Sequence, residues 1–167
     1  MILKMKNILC LVLFLNVLQV FGQSQQGSTK PKTGGVDPDT YANVDSKGVI
    51  LQGYDPVAFF TVKKPVKGQP KFQSRYKGAI YWFSSEANKK MFDGNPEKYK
   101  VHFGGWCAYA VSRGYTASTD IDTWSIQDGK LILQYSERVA RTWKDAPDEN
   151  LAKALKNWPE VAKKKLD

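Results

Sequence analysis

The chain has 167 residues and a formal net charge of +9, with 25 Lys and Arg against 16 Asp and Glu. That length suits one domain with a core that needs no disulfides. The sequence carries no dinucleotide fingerprint, phosphate-cradling glycine loop or paired-cysteine redox motif, and its basic residues are scattered except at Lys163, Lys164 and Lys165, which reads as a solvated surface, with no nucleic-acid partner expected of an exported chain.

Lys4 and Lys6 precede an apolar run from Ile8 to Phe21, broken by Asn16 and Gln19. Spanning a bilayer takes about 20 consecutive apolar residues, so no stable membrane insertion is expected. Residues 1–23 read instead as a secretory signal peptide cut near Gly22, which sends the chain to a periplasmic or secreted location. Cys10 leaves with that segment, so Cys107 is the one thiol of a mature chain of about 144 residues and an intrachain disulfide is ruled out. Residues 24–45 are rich in Gln, Ser, Thr, Gly, Pro and Lys and read as a flexible spacer, with Tyr41 and Val44 able to dock on the domain. Residues 46–167 are the domain.

Val49, Ile50 and Leu51 suit a short strand. Asp55 and Pro56 signal a helix start, Asp as the cap and Pro at the first helical position. Val62 to Gly68 is a loop. Phe72–Tyr76 and Ala79–Phe83 flank Lys77 and Gly78 as a hairpin with a buried second strand. Ser84 or Ser85 caps a helix carrying Ala87, Met91 and Phe92 and stopped at Gly94. Asn95 and Pro96 open a single turn ending at Tyr99. Trp106 to Ser112 is a short helix stopped at Gly114.

Asp128 and Gly129, between Trp124–Gln127 and Lys130–Tyr135, are the strongest short hairpin signal in the chain. Ser136 caps a helix with Val139 and Trp143 on one face. Pro147 and Asp148 open the last helix, with Leu151, Leu155 and Trp158 on one face, and Pro159 is expected to break or restart it. The fold class is α+β: small antiparallel hairpins, short interleaved helices and a helical C-terminus.

The chemistry-bearing stretch is Tyr99 to Val111. It holds His102, the only histidine, and Cys107, on either side of Gly104 and Gly105. Thiolate and imidazole serve soft metals and nucleophilic catalysis alike. On one continuous helix the two would lie about 140° apart, at roughly 3.6 residues per turn. The glycine pair allows another geometry by turning the backbone before a helix starting near Trp106, whose N-terminus would lower the thiol pKa. The alternative is a Cys107 buried as a small hydrophobe among Trp106, Ala108 and Tyr109. Tyr54, Trp82, Trp106 and Tyr109 are candidate liners of an apolar pocket, or plain core.

Tyr76-Lys77-Gly78, the aromatic run Tyr81-Trp82-Phe83, the helix ending on Phe92 and the Pro96-to-Tyr99 turn together resemble the YHS domain. The flanks from Gly53 to Phe60 and from Gly104 to Ala110 look like an exported branch of that family, and the resemblance covers about residues 48 to 159. It implies a small metal-binding module of the kind that accompanies copper-transporting ATPases and some oxygenases. In that version cysteines follow the aromatic strand and recur four residues later; here those positions are Ser84 and Asn88, poor substitutes for thiolates at a soft metal. A metal site would then use Cys107, His102 and Asp55, with Tyr54 adjacent in sequence.

Three functions follow as expectations. The first is non-catalytic binding of copper or another soft metal ion at Cys107. The second is a ligand- or protein-binding module, its protein partner unknown, with Cys107 in the core. The third is a Cys-based enzyme, which needs an orienting group such as Asp55 or Asn88 behind a Cys–His pair.

Overall fold

The computed structural model describes residues 37–166. The expected signal peptide, its cleavage point and most of the spacer lie outside them. Ten helices and strands follow in the order α1 (Pro56–Thr61), β1 (Gln69–Tyr76), β2 (Ala79–Phe83), α2 (Glu86–Gly94), α3 (Pro96–Tyr99), α4 (Ala108–Ser112), β3 (Asp120–Gln127), β4 (Lys130–Gln134), α5 (Glu137–Lys144) and α6 (Pro147–Leu166). The class is α+β, as the sequence predicts.

Each hairpin is its own two-stranded antiparallel sheet. β1 pairs with β2 through a register shift between Gln69 and Gln73, and β3 pairs with β4 through one between Asp120 and Ser125. Single bridges add neighbours: Val49 lies parallel to Ile80, and Val101 and Cys107 lie parallel to Leu131 and Leu133. The predicted strand at Val49–Leu51 is thus reduced to bridges, because Leu51 and Gln52 turn to φ of 54° and 53°, outside the extended region a ladder requires. The Asp128–Gly129 turn has both φ positive, at 48° and 72°, the combination a two-residue hairpin loop of type I′ demands.

Burial falls into two groups. Phe59, Tyr81, Phe83, Phe92, Leu131 and Leu133 form one, between the hairpins and α1 and α2. Phe103, Ile132, Trp143, Leu151, Ala154 and Trp158 form the other, under α4, α5 and α6. β4 serves both, since Leu131 and Leu133 point to the first group and Ile132 to the second, as strand alternation requires.

Two expectations about α6 are corrected. The helix runs unbroken through Pro159, and Leu155 is 43% exposed while Ala154 is fully buried. Pro159 is on the solvent side, so the carbonyl four residues earlier, which its ring leaves without a helix partner, is on the wet face with Leu155. Trp158, Val161 and Ala162 stay buried beyond the proline and hold the last turns in place. The helix also ends its neighbour: Asn157 donates its side-chain amide to the carbonyls of Val111 and Ser112 at 3.3 and 3.0 Å.

Order on the domain begins earlier than residue 46. Pro38–Thr40 is a 3₁₀ turn capped by Asp37, and Tyr41 stacks on Trp106 and Trp158 at ring separations of 5.2 and 6.3 Å. Asp39 accepts from Trp158 Nε1 at 2.9 Å and pairs with Lys77 and Lys100. Gly104, at φ +56°, lies so close to this strap that a Cβ would collide with the Tyr41 carbonyl. Only glycine meets both conditions.

Candidate functional site

Asp55 is entirely buried. Its Oδ1 accepts from Val57 N at 2.9 Å and Ala58 N at 3.3 Å, capping α1. Its Oδ2 accepts from Ser84 N at 2.8 Å, Ser84 Oγ at 2.6 Å and Asn88 Nδ2 at 2.7 Å. Ser84 and Asn88 are four residues apart across the start of α2, so they present to the same side, and Ser85 caps that helix by accepting from Asn88 N at 3.1 Å. A carboxylate offers about four lone-pair sites; five donors fill them. The negative charge is thereby matched by hydrogen bonds without a cationic partner, the condition under which a buried carboxylate is tolerated.

Ser84 and Asn88, where the resemblance implies cysteines, are therefore spent on Asp55. A hydroxyl and an amide nitrogen turned toward a carboxylate do not fit a soft cation.

Cys107 is 1% exposed. Its Sγ donates to Gln134 Oε1 at 3.4 Å. Burial pushes the thiol pKa up, and backbone hydrogen bonds near Ala110, Tyr135 and Tyr109 only partly oppose it. The expected lowering by a helix N-terminus is not found: α4 starts at Ala108 rather than Trp106 and has five residues, too short for a substantial macrodipole. The direction is that of a structural thiol.

His102 opens a 3₁₀ segment, His102–Gly105, in which Phe103 and Gly104 turn to φ of 54° and 56°. Its Nδ1 is buried without a partner. Burial, helped by the charges of Lys100 and Lys130, holds its pKa down at about 4, so the ring is neutral at physiological pH. Tyr54 is half-buried with Lys67 Nζ 3.9 Å over its ring. Each of the four candidate ligands thus has its own surroundings, and among the described residues no group of three or more His, Cys, Asp or Glu side chains is placed to hold a metal ion.

The candidate aromatic pocket residues are dispersed as well. Trp82 covers Gly53 and Gly68, Trp106 stacks on Tyr41, and Tyr109 lies under Arg113. A cleft of about 510 Å³ opens elsewhere, between α5 and the β3–β4 hairpin. Sequence reasoning passed over its key residue, Gln134. The signal was there: one amide closing the apolar run Leu131-Ile132-Leu133. Among the described residues no helix is long and apolar enough to cross a membrane.

These contacts define a small α+β scaffold in which the starts of α1 and α2 are fastened by one buried carboxylate. Residues 57–102 match the family model for the YHS domain. The match takes in Ser84, Asn88 and His102 and leaves out Cys107 and Gln134. Comparison with curated proteins and with solved structures found no match.

Proposed function

We propose that the chain is an exported, non-catalytic binding module on a YHS scaffold, whose cargo is a non-metal ligand or a protein. The observation that carries this reading is the filled Asp55 carboxylate: Ser84 and Asn88, which would be thiolates in a metal-holding YHS module, act there as hydrogen-bond donors. Cys107 supports it, being buried, raised in pKa and engaged with Gln134. A Cys-based enzyme would need a thiolate within reach of a base, and burial holds Cys107 toward the protonated thiol.

Export rests on Lys4, Lys6 and the apolar run that follows them. Intact mass of the exported form tests it; the chain should begin between Gly22 and Gln26, and a mass that includes Met1 to Phe21 would sink it.

Copper(I) competition titrations of wild type, Cys107→Ser and His102→Ala test the cargo. The expected result is equal, weak competition by all three. Tight binding by wild type that is lost in Cys107→Ser would overturn the reading and restore a soft-metal site at that thiol; loss in both variants would make it a Cys–His site.

A further inference from the structure

Two stretches of the chain fold alike. Leu51–Gly53 and Phe103–Gly105 each turn through three positive φ angles, 54°, 53° and 76° in the first and 54°, 56° and 78° in the second. The parallel bridges Val49–Ile80 and Val101–Leu131 accompany them. α1 and the β1–β2 hairpin follow the first turn, and α4 and the β3–β4 hairpin follow the second. Asp55 N donates to Val66 O at 2.8 Å as Cys107 N donates to Ala117 O at 3.0 Å. Ser85 caps α2 as Ser136 caps α5, and Pro96 and Pro147 open the helices after them. One helix–hairpin–helix unit thus occurs twice, and each half shows what the scaffold asks of the other.

The halves differ in charge at one place. Thr61–Tyr76 carries Lys63, Lys64, Lys67, Lys71 and Arg75 and no acid. The matching stretch, Ser112–Gln127, carries Arg113 against Asp120 and Asp122. Counted back from the hairpin turn, Asp122 stands where Lys71 does, so the scaffold does not ask for these cations. Lys63 goes further. It holds φ of 55°, where its counterpart Gly114 holds 87°. Glycine takes such an angle freely and lysine does not, so a lysine there goes against the backbone's preference.

All five cations are exposed, and among the described residues none of them is ion-paired. Ser74 and Tyr76 turn toward α2, the one to Asp93 and the other to Phe92. Strand alternation then leaves Lys71 and Arg75 on the opposite, open face of β1.

Such a surface selects an anion, and its composition selects the kind. Four of the five are lysines, which act as point charges rather than as forks addressed to single phosphates. Among them lies no bare aromatic ring for a base or a sugar to stack on: Lys67 Nζ is 3.9 Å over Tyr54 and Lys71 Nζ is 4.8 Å over Phe72. Val62, immediately before Lys63 and Lys64, is 53% exposed. An apolar side chain beside lysines suits the boundary between lipid headgroups and acyl chains.

We propose that the surface from Val62 to Arg75 is a peripheral docking site for an anionic lipid bilayer, with the cations on the headgroups and Val62 entering among them. It goes beyond the binding-module reading and does not depend on it.

Co-sedimentation of the exported form with vesicles of equimolar phosphatidylglycerol and phosphatidylcholine tests the site. The protein should sediment with these vesicles and not with pure phosphatidylcholine. It should come off as salt rises from about 0.1 to about 1 M, where the screening length falls from about 10 to about 3 Å. Lys64→Glu with Lys71→Glu should weaken binding at least about tenfold. Lys156→Glu with Lys163→Glu makes the same change of net charge on α6 and should weaken it far less. Val62→Ser should cost about threefold on the vesicles and nothing on dextran sulfate, a soluble polyanion. Equal sedimentation with neutral vesicles, equal loss in the two double variants, or an unaltered Val62→Ser would each overturn the proposal. Retention on dextran sulfate at a salt concentration that frees the protein from vesicles would overturn it in favour of a soluble polyanion.

Discussion

Asn88 and Asp55 meet across 33 positions of the chain, the side-chain amide nitrogen of one 2.7 Å from Oδ2 of the other. With Ser84, this contact fastens the start of α2 to the start of α1, above the cluster of Phe59, Phe83 and Phe92. Asp55→Ala leaves five donors facing a space with no acceptor. Leaving a buried neutral donor without an acceptor costs about 1–3 kcal/mol, so with several stranded, urea denaturation should show a loss of at least about 3 kcal/mol. Asp55→Asn keeps one acceptor oxygen and should lose less, about 2 kcal/mol. A wild-type midpoint in Asp55→Ala would remove the fastening role.

The same geometry makes a gain-of-function prediction. Ser84 Oγ and Asn88 Nδ2 are 3.3 Å apart beside Asp55 Oδ2. Ser84→Cys with Asn88→Cys places two thiols there in reach of a carboxylate, and soft ions favour thiolates. Chelator competition should show zinc or copper(I) bound more tightly than by wild type. No gain in a variant with an intact circular dichroism spectrum would mean the space at Asp55 cannot close around an ion.

His102 should shape the acid limb of stability. Its folded-state pKa is about 4 against an ordinary 6.5, so as pH falls the unfolded chain takes the proton first. Stability is full above about 6.5 and declines between 6.5 and 4, by at most about 3 kcal/mol. Asp39 and Glu97 act lower. Burial pushes Asp39 up, but hydrogen bonds from Lys100 and Trp158 and the lysine charges outweigh it and hold it at about 2. Glu97 is held at about 2 by hydrogen bonds from Lys100 and Tyr76. Both are depressed carboxyls, so their contribution is present above about 4 and is lost as pH falls toward 2. His102→Phe should flatten the upper phase and leave the lower one, as read by chemical denaturation at stepped pH. An unaltered upper phase would assign it to another group.

Cys107 should resist thiol reagents in the folded protein and react on unfolding. It is 1% exposed, and burial favours the unreactive thiol over the thiolate. Labelling with a disulfide reagent at neutral pH, with and without denaturant, reads this directly. Fast labelling without denaturant would require an exposed, ionised sulfur and would revive a reactive role.

Local signals carried most of the fold. Asp55 with Pro56, Ser85, Asn95 with Pro96, Asp128 with Gly129, and Ser136 each occupy the cap or turn that their side chains dictate. The misreadings share a cause, which is that long-range packing decides them. The proline in α6 is survivable because Trp158, Val161 and Ala162 are anchored elsewhere. Tyr41, expected to be able to dock on the domain, is no misreading; it stacks on Trp106 and Trp158. At the candidate site, Asp55, Ser84 and Asn88 were each visible as notable residues. Nothing local says that the second and third donate to the first, and without that the carboxylate looks like a free ligand. Gln134 was hidden for the same reason, since an amide's importance depends on which of its atoms goes unpaired.

The Asp39–Trp158 hydrogen bond joins positions 119 residues apart, and with Lys77 and Lys100 converging on the same carboxylate it turns the described chain into a nearly closed ring. A ring need not keep its original opening. Joining the strap to the end of α6 with a short linker and reopening the backbone at the Asp128–Gly129 turn, where a glycine Cβ would meet nothing within 4 Å, should give a circular permutant that reaches the same packing. Pulling on the native strap, by contrast, loads this clamp and the Tyr41 stack before it loads either hairpin, so the point at which the domain would yield to force is set by one carboxylate and two rings rather than by its sheets.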